Sequence, residues 1–171
     1  MKLSLSITWA QQLMALTAFG KRIVGGGDVP ALASAAGLLQ AWQWDEGRGC
    51  SPSHPYYGGT GRWAHSAPDL MHTALMLRAL RGAGVAENDP YSRRALTFVA
   101  RCQIVDDSAG GGGGDRHDRG GFSTGPVVDS TGGTSKVRLG RPDGASTCLG
   151  LTTLLAAGVV PADSRVRLAL H

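Results

Sequence analysis

The chain repeats itself at an interval of 74 residues. Residues 68–96, PDLMHTALMLRALRGAGVAENDPYSRRAL, lie without a gap over residues 142–170, PDGASTCLGLTTLLAAGVVPADSRVRLAL. Pro68, Asp69 and Thr73 fall on Pro142, Asp143 and Thr147. Leu75, Leu77 and Leu80 fall on Leu149, Leu151 and Leu154, and Ala83-Gly84-Val85 falls on Ala157-Gly158-Val159. Asp89, Arg93, Ala95 and Leu96 match Asp163, Arg167, Ala169 and Leu170. A repeat of this kind constrains the fold more than any composition does. Each unit is one supersecondary element that buries its apolar face only against its neighbours.

Each unit reads as helix, turn, helix. Asp69 stands where an N-cap belongs, just before Leu70, Thr73, Leu77 and Leu80 at helical spacing. Gly84 follows the last turn, where a left-handed residue costs glycine least. Asp89-Pro90 opens the second helix, since proline is tolerated at the first helical position. The pattern predicts antiparallel helices over Asp69–Gly82 and Pro90–Gln103, an equivalent first helix over Ser146–Ala157, and an almost all-α chain. The clear units span about 62–107 and 136–171. A fainter unit, about 5–47, precedes them, with helices at Thr8–Phe19 and Pro30–Trp42. Within it SAAGLLQAWQWDEG, residues 34–47, overlays RALTFVARCQ, residues 94–103. Ala35 lies on Ala95, Leu39 on Val99 and Gln43 on Gln103, and Gly47 follows four residues after its glutamine. The whole of 1–171 reads as one domain. Long glycine-rich loops, Gly47–Gly61 and Gly110–Gly144, separate the units, and loops of that length are functional or mobile.

Glycine is in excess, 26 of 171 residues, about twice the usual share. The chain is nevertheless not of disordered composition, because apolar residues make up 42% of it and recur periodically. A net charge of +4 comes mostly from scattered arginines, so there is no basic block to mark a nucleic-acid surface. Cys50, Cys102 and Cys148 lie far apart, which fits neither a disulfide framework nor a zinc knuckle. No apolar run reaches the ~18 residues of a membrane-spanning helix. At the N-terminus, Gln11 and Gln12 interrupt the apolar stretch of a would-be signal peptide, and no clean cleavage site follows before Lys21 and Arg22. These features favour a cytoplasmic helix over a secretion signal.

Arg94, Ala95, Phe98, Val99 and Gln103 form a basic, small, aromatic, aliphatic, glutamine pattern. With Gly121 and Phe122 as a displaced Gly-aromatic close, it resembles the QW motif of the squalene–hopene cyclase and prenyltransferase repeat superfamily. The order of Tyr57-Gly58-Gly59, Pro68-Asp69-Leu70, Thr73, Asp89-Pro90, Cys102-Gln103 and Gly120-Gly121-Phe122 agrees with such repeats. The resemblance covers roughly residues 30–170. It implies an α/α toroid of alternating inner and outer helices around a cavity, with Gln103 bonding backbone groups at neighbouring helix ends. Because helix C-termini leave carbonyls unsatisfied and an amide both donates and accepts, the glutamine is expected to join two such ends. A family toroid closes with about five to seven hairpins, so the two clear units and one faint one imply an incomplete member. They also imply an open edge prone to self-association.

The chemistry that the resemblance implies is isoprenoid cyclisation or prenyl transfer, and here the residues are sparse. Class II cyclases of this superfamily protonate their substrate with Asp-x-Asp-Asp, which is absent. Asp106 and Asp107 lack the first aspartate and follow an outer helix. Aspartates beside glycine more often build turns. In the prenyltransferases zinc is held by Asp, Cys and His, and the segment from Asp69 to Thr73 resembles the helix that carries their histidine, with His72 in place. The Asp-x-Cys half is missing, since Asp143-Gly144-Ala145 puts alanine where cysteine belongs. The catalytic candidates are therefore His72, Asp69, Asp106 and Asp107, with His72 read first as a cap-adjacent or cavity-facing structural histidine, a metal ligand only by resemblance, and no cofactor implied. The charged island Asp115 to Arg119 reads as a solvated loop crest. Gly110–Gly114 is no phosphate loop, because no Gly-Lys-Ser/Thr follows. Trp42, Trp44, Tyr56, Tyr57 and Trp63 gather aromatic surface that would either stabilise cations or pack hairpin on hairpin. Two classes of function follow. One is a cyclase-like piece binding an isoprenoid or other apolar ligand. The other is a non-catalytic helical scaffold for an apolar ligand or protein partner.

Overall fold

The computed structural model describes residues 36–37, 39–105, 118–129 and 136–170. The helix expected at Thr8–Phe19, most of Pro30–Trp42, and Asp106 and Asp107 lie outside these residues. The described part is helical with one small sheet. In chain order it contains α1 (Leu70–Gly82), α2 (Pro90–Arg101), β1 (Pro126–Asp129), β2 (Lys136–Leu139), α3 (Gly144–Ala156) and α4 (Ser164–Ala169). No described helix is long and apolar enough to cross a membrane.

Local chemistry sets the helix boundaries. The Asp69 carboxylate accepts from the His72 N–H, and Asp143 accepts from the Ser146 N–H, each 2.8 Å away. These bonds satisfy donors that a helix start would otherwise leave orphaned. Asp89 and Asp163 cap α2 and α4 in the same way, accepting from Tyr91 and Arg165. Gly84 and Gly158 both take φ +87° just past the first helix of their units, a conformation that costs glycine little.

α1 and α3 lie side by side and run in the same direction. Their C-terminal halves line one groove, and Thr124, two residues after the Phe122 that leans on α3, accepts from the Leu70 N–H at the start of α1. α2 packs against both. Leu77, Leu80, Ala95, Phe98, Val99, Phe122, Leu154 and Val166 form the continuous core, all buried. Phe98 and Val99 come from the apolar stripe of α2, while the arginines of that helix stay at its edges, with Arg93 exposed.

The long loop before α3 differs from the all-α expectation. β1 and β2 pair antiparallel, Pro126 with Leu139 and Asp129 with Lys136. Pro-Val-Val-Asp and Lys-Val-Arg-Leu bring Val127, Val128 and Val137 together without an intervening glycine in either run, and extended pairing suits them. Val127 and Val137 point outward, 42% and 51% exposed, so the hairpin rests on the body and adds little to its core.

Candidate functional site

Two polar constructions stand out, a paired glutamine joint and a buried histidine. The joint occurs twice. Gln43 Nε2 donates to the carbonyls of Gly58 and Tyr91, at 3.0 and 2.9 Å. Gln103 Nε2 donates to those of Gly120 and Arg165, again at 3.0 and 2.9 Å. Tyr91 and Arg165 sit at matching places in the first turns of α2 and α4. Around each glutamine the backbone closes in the same way. Gly58 N donates to Trp44 O and Trp44 N to Gly59 O, just as Gly120 N donates to Ile104 O and Ile104 N to Gly121 O.

The glycines are there for contact. Gly58, at φ +84°, lies so close to α2 that a Cβ would meet the Arg94 carbonyl oxygen at 1.9 Å. Gly120, at φ +90°, would meet that of Leu168 at 2.0 Å. Gly47 has no part in this joint, so the counterpart of Gly120 is Gly58 and not the nearer glycine. The expected role of the amide also needs correction. Each glutamine uses only its two N–H donors, and they reach first-turn and loop carbonyls, not the vacant carbonyls of a helix C-terminus. Gln43 Oε1 and Gln103 Oε1 are buried without a hydrogen-bond partner among the described residues.

The other residues of the QW-like pattern fall around this joint. Ala95, Phe98 and Val99 are wholly buried on α2, and Phe122 is wholly buried next to Gly121. Arg94 turns outward to Glu46, 3.1 Å away, and its Nε donates to the Tyr57 hydroxyl. The Tyr57 hydroxyl in turn donates to Glu46 Oε1 at 2.7 Å, which holds the Glu46 carboxyl below its ordinary range and raises Tyr57. This network fastens the loop of residues 45–57 to α2.

Of the two catalytic candidates among the described residues, His72 is the more protected. Its side chain is 7% exposed, and its Nδ1 lies 2.6 Å from Asp69 Oδ2. Asp69 thus does two tasks, capping α1 with one oxygen and holding the ring with the other. His72 Nε2 is buried and has no hydrogen-bond partner among the described residues. The ring borders a pocket of about 10 Å³ with Leu39, Trp42, Thr60, Leu75 and Met76, about the room one water needs. Among the described residues no three of His, Cys, Asp or Glu come together as metal ligands would.

Several of the aromatics pack on one another and on the loop around them. Trp44 stacks on His54, with ring centroids 6.4 Å apart, and meets Tyr56 edge-on at 5.4 Å. The Arg48 guanidinium lies 5.4 Å from the Trp44 ring. Only Trp42 borders the His72 pocket, and Trp63 is 56% exposed. Asp118, from the charged island, pairs loosely with Arg141 at 3.6 Å. The three cysteines are free thiols. Cys102, the C-terminal cap of α2, is fully buried, and burial, with a smaller contribution from the Asp69 charge, pushes its pKa up to about 12. A thiol so protonated is no nucleophile.

No family model, curated protein or solved structure matches the chain.

The sequence points to Gln103 and sets His72 next to the cap, but it does not specify the contact between the His72 ring and Asp69. The signal for that contact was present. An acid at the N-cap and a polar side chain three residues on is the spacing at which a first-turn residue reaches back to the cap.

Proposed function

We propose that the chain is a section of an α/α toroid of the squalene–hopene cyclase and prenyltransferase repeat kind, one that walls an apolar cavity and carries no catalytic motif of its own. The observation that supports this most is the twinned glutamine joint, in which Gln43 and Gln103 tie successive units together through the same pair of carbonyl contacts. A joint that repeats in this way propagates a curved array of hairpins. Between α1 and α3 lies an apolar groove of about 130 Å³ lined by Leu77, Thr153, Ala156 and Ala157, with Arg78 and Arg81 at its rim. That is less than a whole ligand pocket, which usually runs to ~300 Å³ or more, and suits one end of a prenyl chain.

Titration calorimetry with a short prenyl alcohol tests the ligand. Saturable binding that is lost in Ala156→Trp is the expected result. No saturable binding in either protein would sink the apolar-ligand reading and leave the scaffold reading, in which the same array presents its loops to a protein partner.

On this reading the purified protein carries no stoichiometric zinc. Among the described residues His72 is joined by Asp69 alone, and a zinc site takes three protein ligands or more. Metal analysis that found one zinc per chain, lost in His72→Ala, would reverse it.

A further inference from the structure

His72 and Met76 stand one turn apart on α1, so they share one face of the helix. Both are buried, and both line the pocket of about 10 Å³ with Leu39, Trp42 and Thr60. The Asp69 carboxylate can only accept, so the contact at 2.6 Å puts the ring proton on His72 Nδ1. That leaves the lone pair of the neutral ring on Nε2, which has no partner among the described residues. A carboxylate behind the ring is the arrangement that orients a metal-binding histidine and raises its basicity. The Met76 sulfur accepts from the Thr60 hydroxyl at 2.8 Å. A thioether has a second lone pair, so the sulfur is held in place and can still act as a ligand.

The repeat does not require this pair. At the matching places of α3 stand Ser146 and Gly150. The Ser146 hydroxyl donates to Asp143, and the Phe122 ring occupies the space next to Gly150. The second unit thus closes the place with a hydroxyl bond and a ring. The first supplies two electron-pair donors and room for one small occupant. We propose that His72 Nε2 and Met76 Sδ bind one copper(I) ion, with Trp42 in the wall of the site. Thioether sulfur and imidazole nitrogen are donors that suit soft copper(I), a closed-shell ion that is stable with two ligands. An aromatic face beside a cation adds attraction. Charge argues against a divalent ion. Asp69, behind the ring, balances one positive charge, and among the described residues no further acid, histidine or cysteine joins the two. A second charge would be buried without compensation. The proposal depends neither on the toroid reading nor on the apolar ligand.

Anaerobic competition for copper(I) with the chromophoric chelator bicinchoninate tests it. The exposed thiol of Cys148 would also take copper(I), so every chain carries Cys148→Ser, while Cys50 and Cys102 are buried. The expected result is one copper(I) per chain. Met76→Leu conserves volume and removes only the sulfur. It should weaken binding by more than the roughly tenfold that loss of an outer-shell partner costs. Met71→Leu, at an exposed methionine of the same helix, should leave binding unchanged. X-ray absorption at the copper edge of the loaded Cys148→Ser chain should show one nitrogen and one sulfur neighbour. That spectrum is taken with His72 and Met76 in place, so it decides the matter even if Met76→Leu does not fold. No stoichiometric binding overturns the proposal. So does binding that Met76→Leu leaves intact or that Met71→Leu abolishes, and so does a copper shell of sulfur alone or of nitrogen and oxygen alone. Zinc(II) bound as tightly as copper(I) would overturn the choice of metal.

Discussion

Phe122 and Gly150 fit each other as a pair. A Cβ on Gly150 would lie 2.4–2.7 Å from three atoms of the Phe122 ring, closer than any real packing contact. In the first unit the same two places hold Thr60 and Met76, with Thr60 following Gly58-Gly59 as Phe122 follows Gly120-Gly121. There the Thr60 hydroxyl donates to the Met76 sulfur. Aromatic ring plus hydrogen has been exchanged for small side chain plus thioether, and the local volume is filled either way. Thr60 N and Phe122 N even donate to the matching hydroxyls of Thr73 and Thr147, both at 3.0 Å. Gly150→Ala should therefore destabilise by about 1–3 kcal/mol, the usual cost of overpacking, and Phe122→Leu in the same chain should recover part of that loss. Urea denaturation of the two variants checks this. If the double variant is less stable than the single one by the full cost of a Phe→Leu change, the two residues are not coupled. The reverse exchange makes the same point, since Thr60→Phe should be tolerated better alongside Met76→Gly than alone.

At the scale of elements, the caps decide where helices begin, and Asp143 is the clearest case. It accepts from the Ser146 N–H and the Ser146 hydroxyl, both at 2.8 Å, and these bonds lower its pKa from 3.8. A depressed folded-state pKa means that the carboxylate stabilises the fold above its unfolded value. That contribution is lost as pH falls through the folded value. Asp143→Ala should lower the urea midpoint at neutral pH, and the gap to the parent should close below about the ordinary aspartate range. A gap that stays constant from pH 7 to the acid limit would show that the charge of the cap is irrelevant. These caps were legible in the sequence because they are local: an aspartate before an apolar stripe, a proline at the first turn, a glycine after the last. The β1–β2 hairpin was hidden because composition drew attention to the surrounding glycines and away from two short β-branched runs. The glycine partner of Gln43 was hidden for a different reason. The loop from Gln103 to Gly120 is two residues longer than that from Gln43 to Gly58, so no fixed offset aligns both ends. The contact between His72 and Asp69 needed only three residues of sequence. The unpartnered Nε2 of that histidine depends on Leu39, Trp42 and Thr60 arriving from elsewhere, and no local pattern announces it.

Across the whole molecule one apolar core joins the units, and Gln103 adds an exacting polar tie between them. It stands just past the end of α2, yet its two donors go to Gly120, at the entrance of the next unit, and to Arg165, in the first turn of α4. The carbonyl of Gly120 is buried in a residue pressed against Leu168, so water does not readily replace the lost donor. Leaving buried acceptors unpaired costs about 1–3 kcal/mol. α4 has six residues and is too short to hold itself helical without packing and such ties. Gln103→Leu should accordingly act at a distance along the chain. Its own helix, α2, keeps its buried stripe of Ala95, Phe98 and Val99, while α4 and the adjoining turns of α3 lose protection. Amide hydrogen exchange followed by mass spectrometry should show faster exchange across 144–170 and little change across 70–101. Gln43→Leu, which frees the carbonyls of Gly58 and Tyr91, should instead quicken exchange at the start of α2. The two variants are chemically identical substitutions in equivalent joints, so the contrast between them isolates the coupling. Were both to accelerate exchange in the same segments, or evenly throughout, the glutamines would be general supports of the core, and the unit-to-unit tie would have to be sought in Phe122.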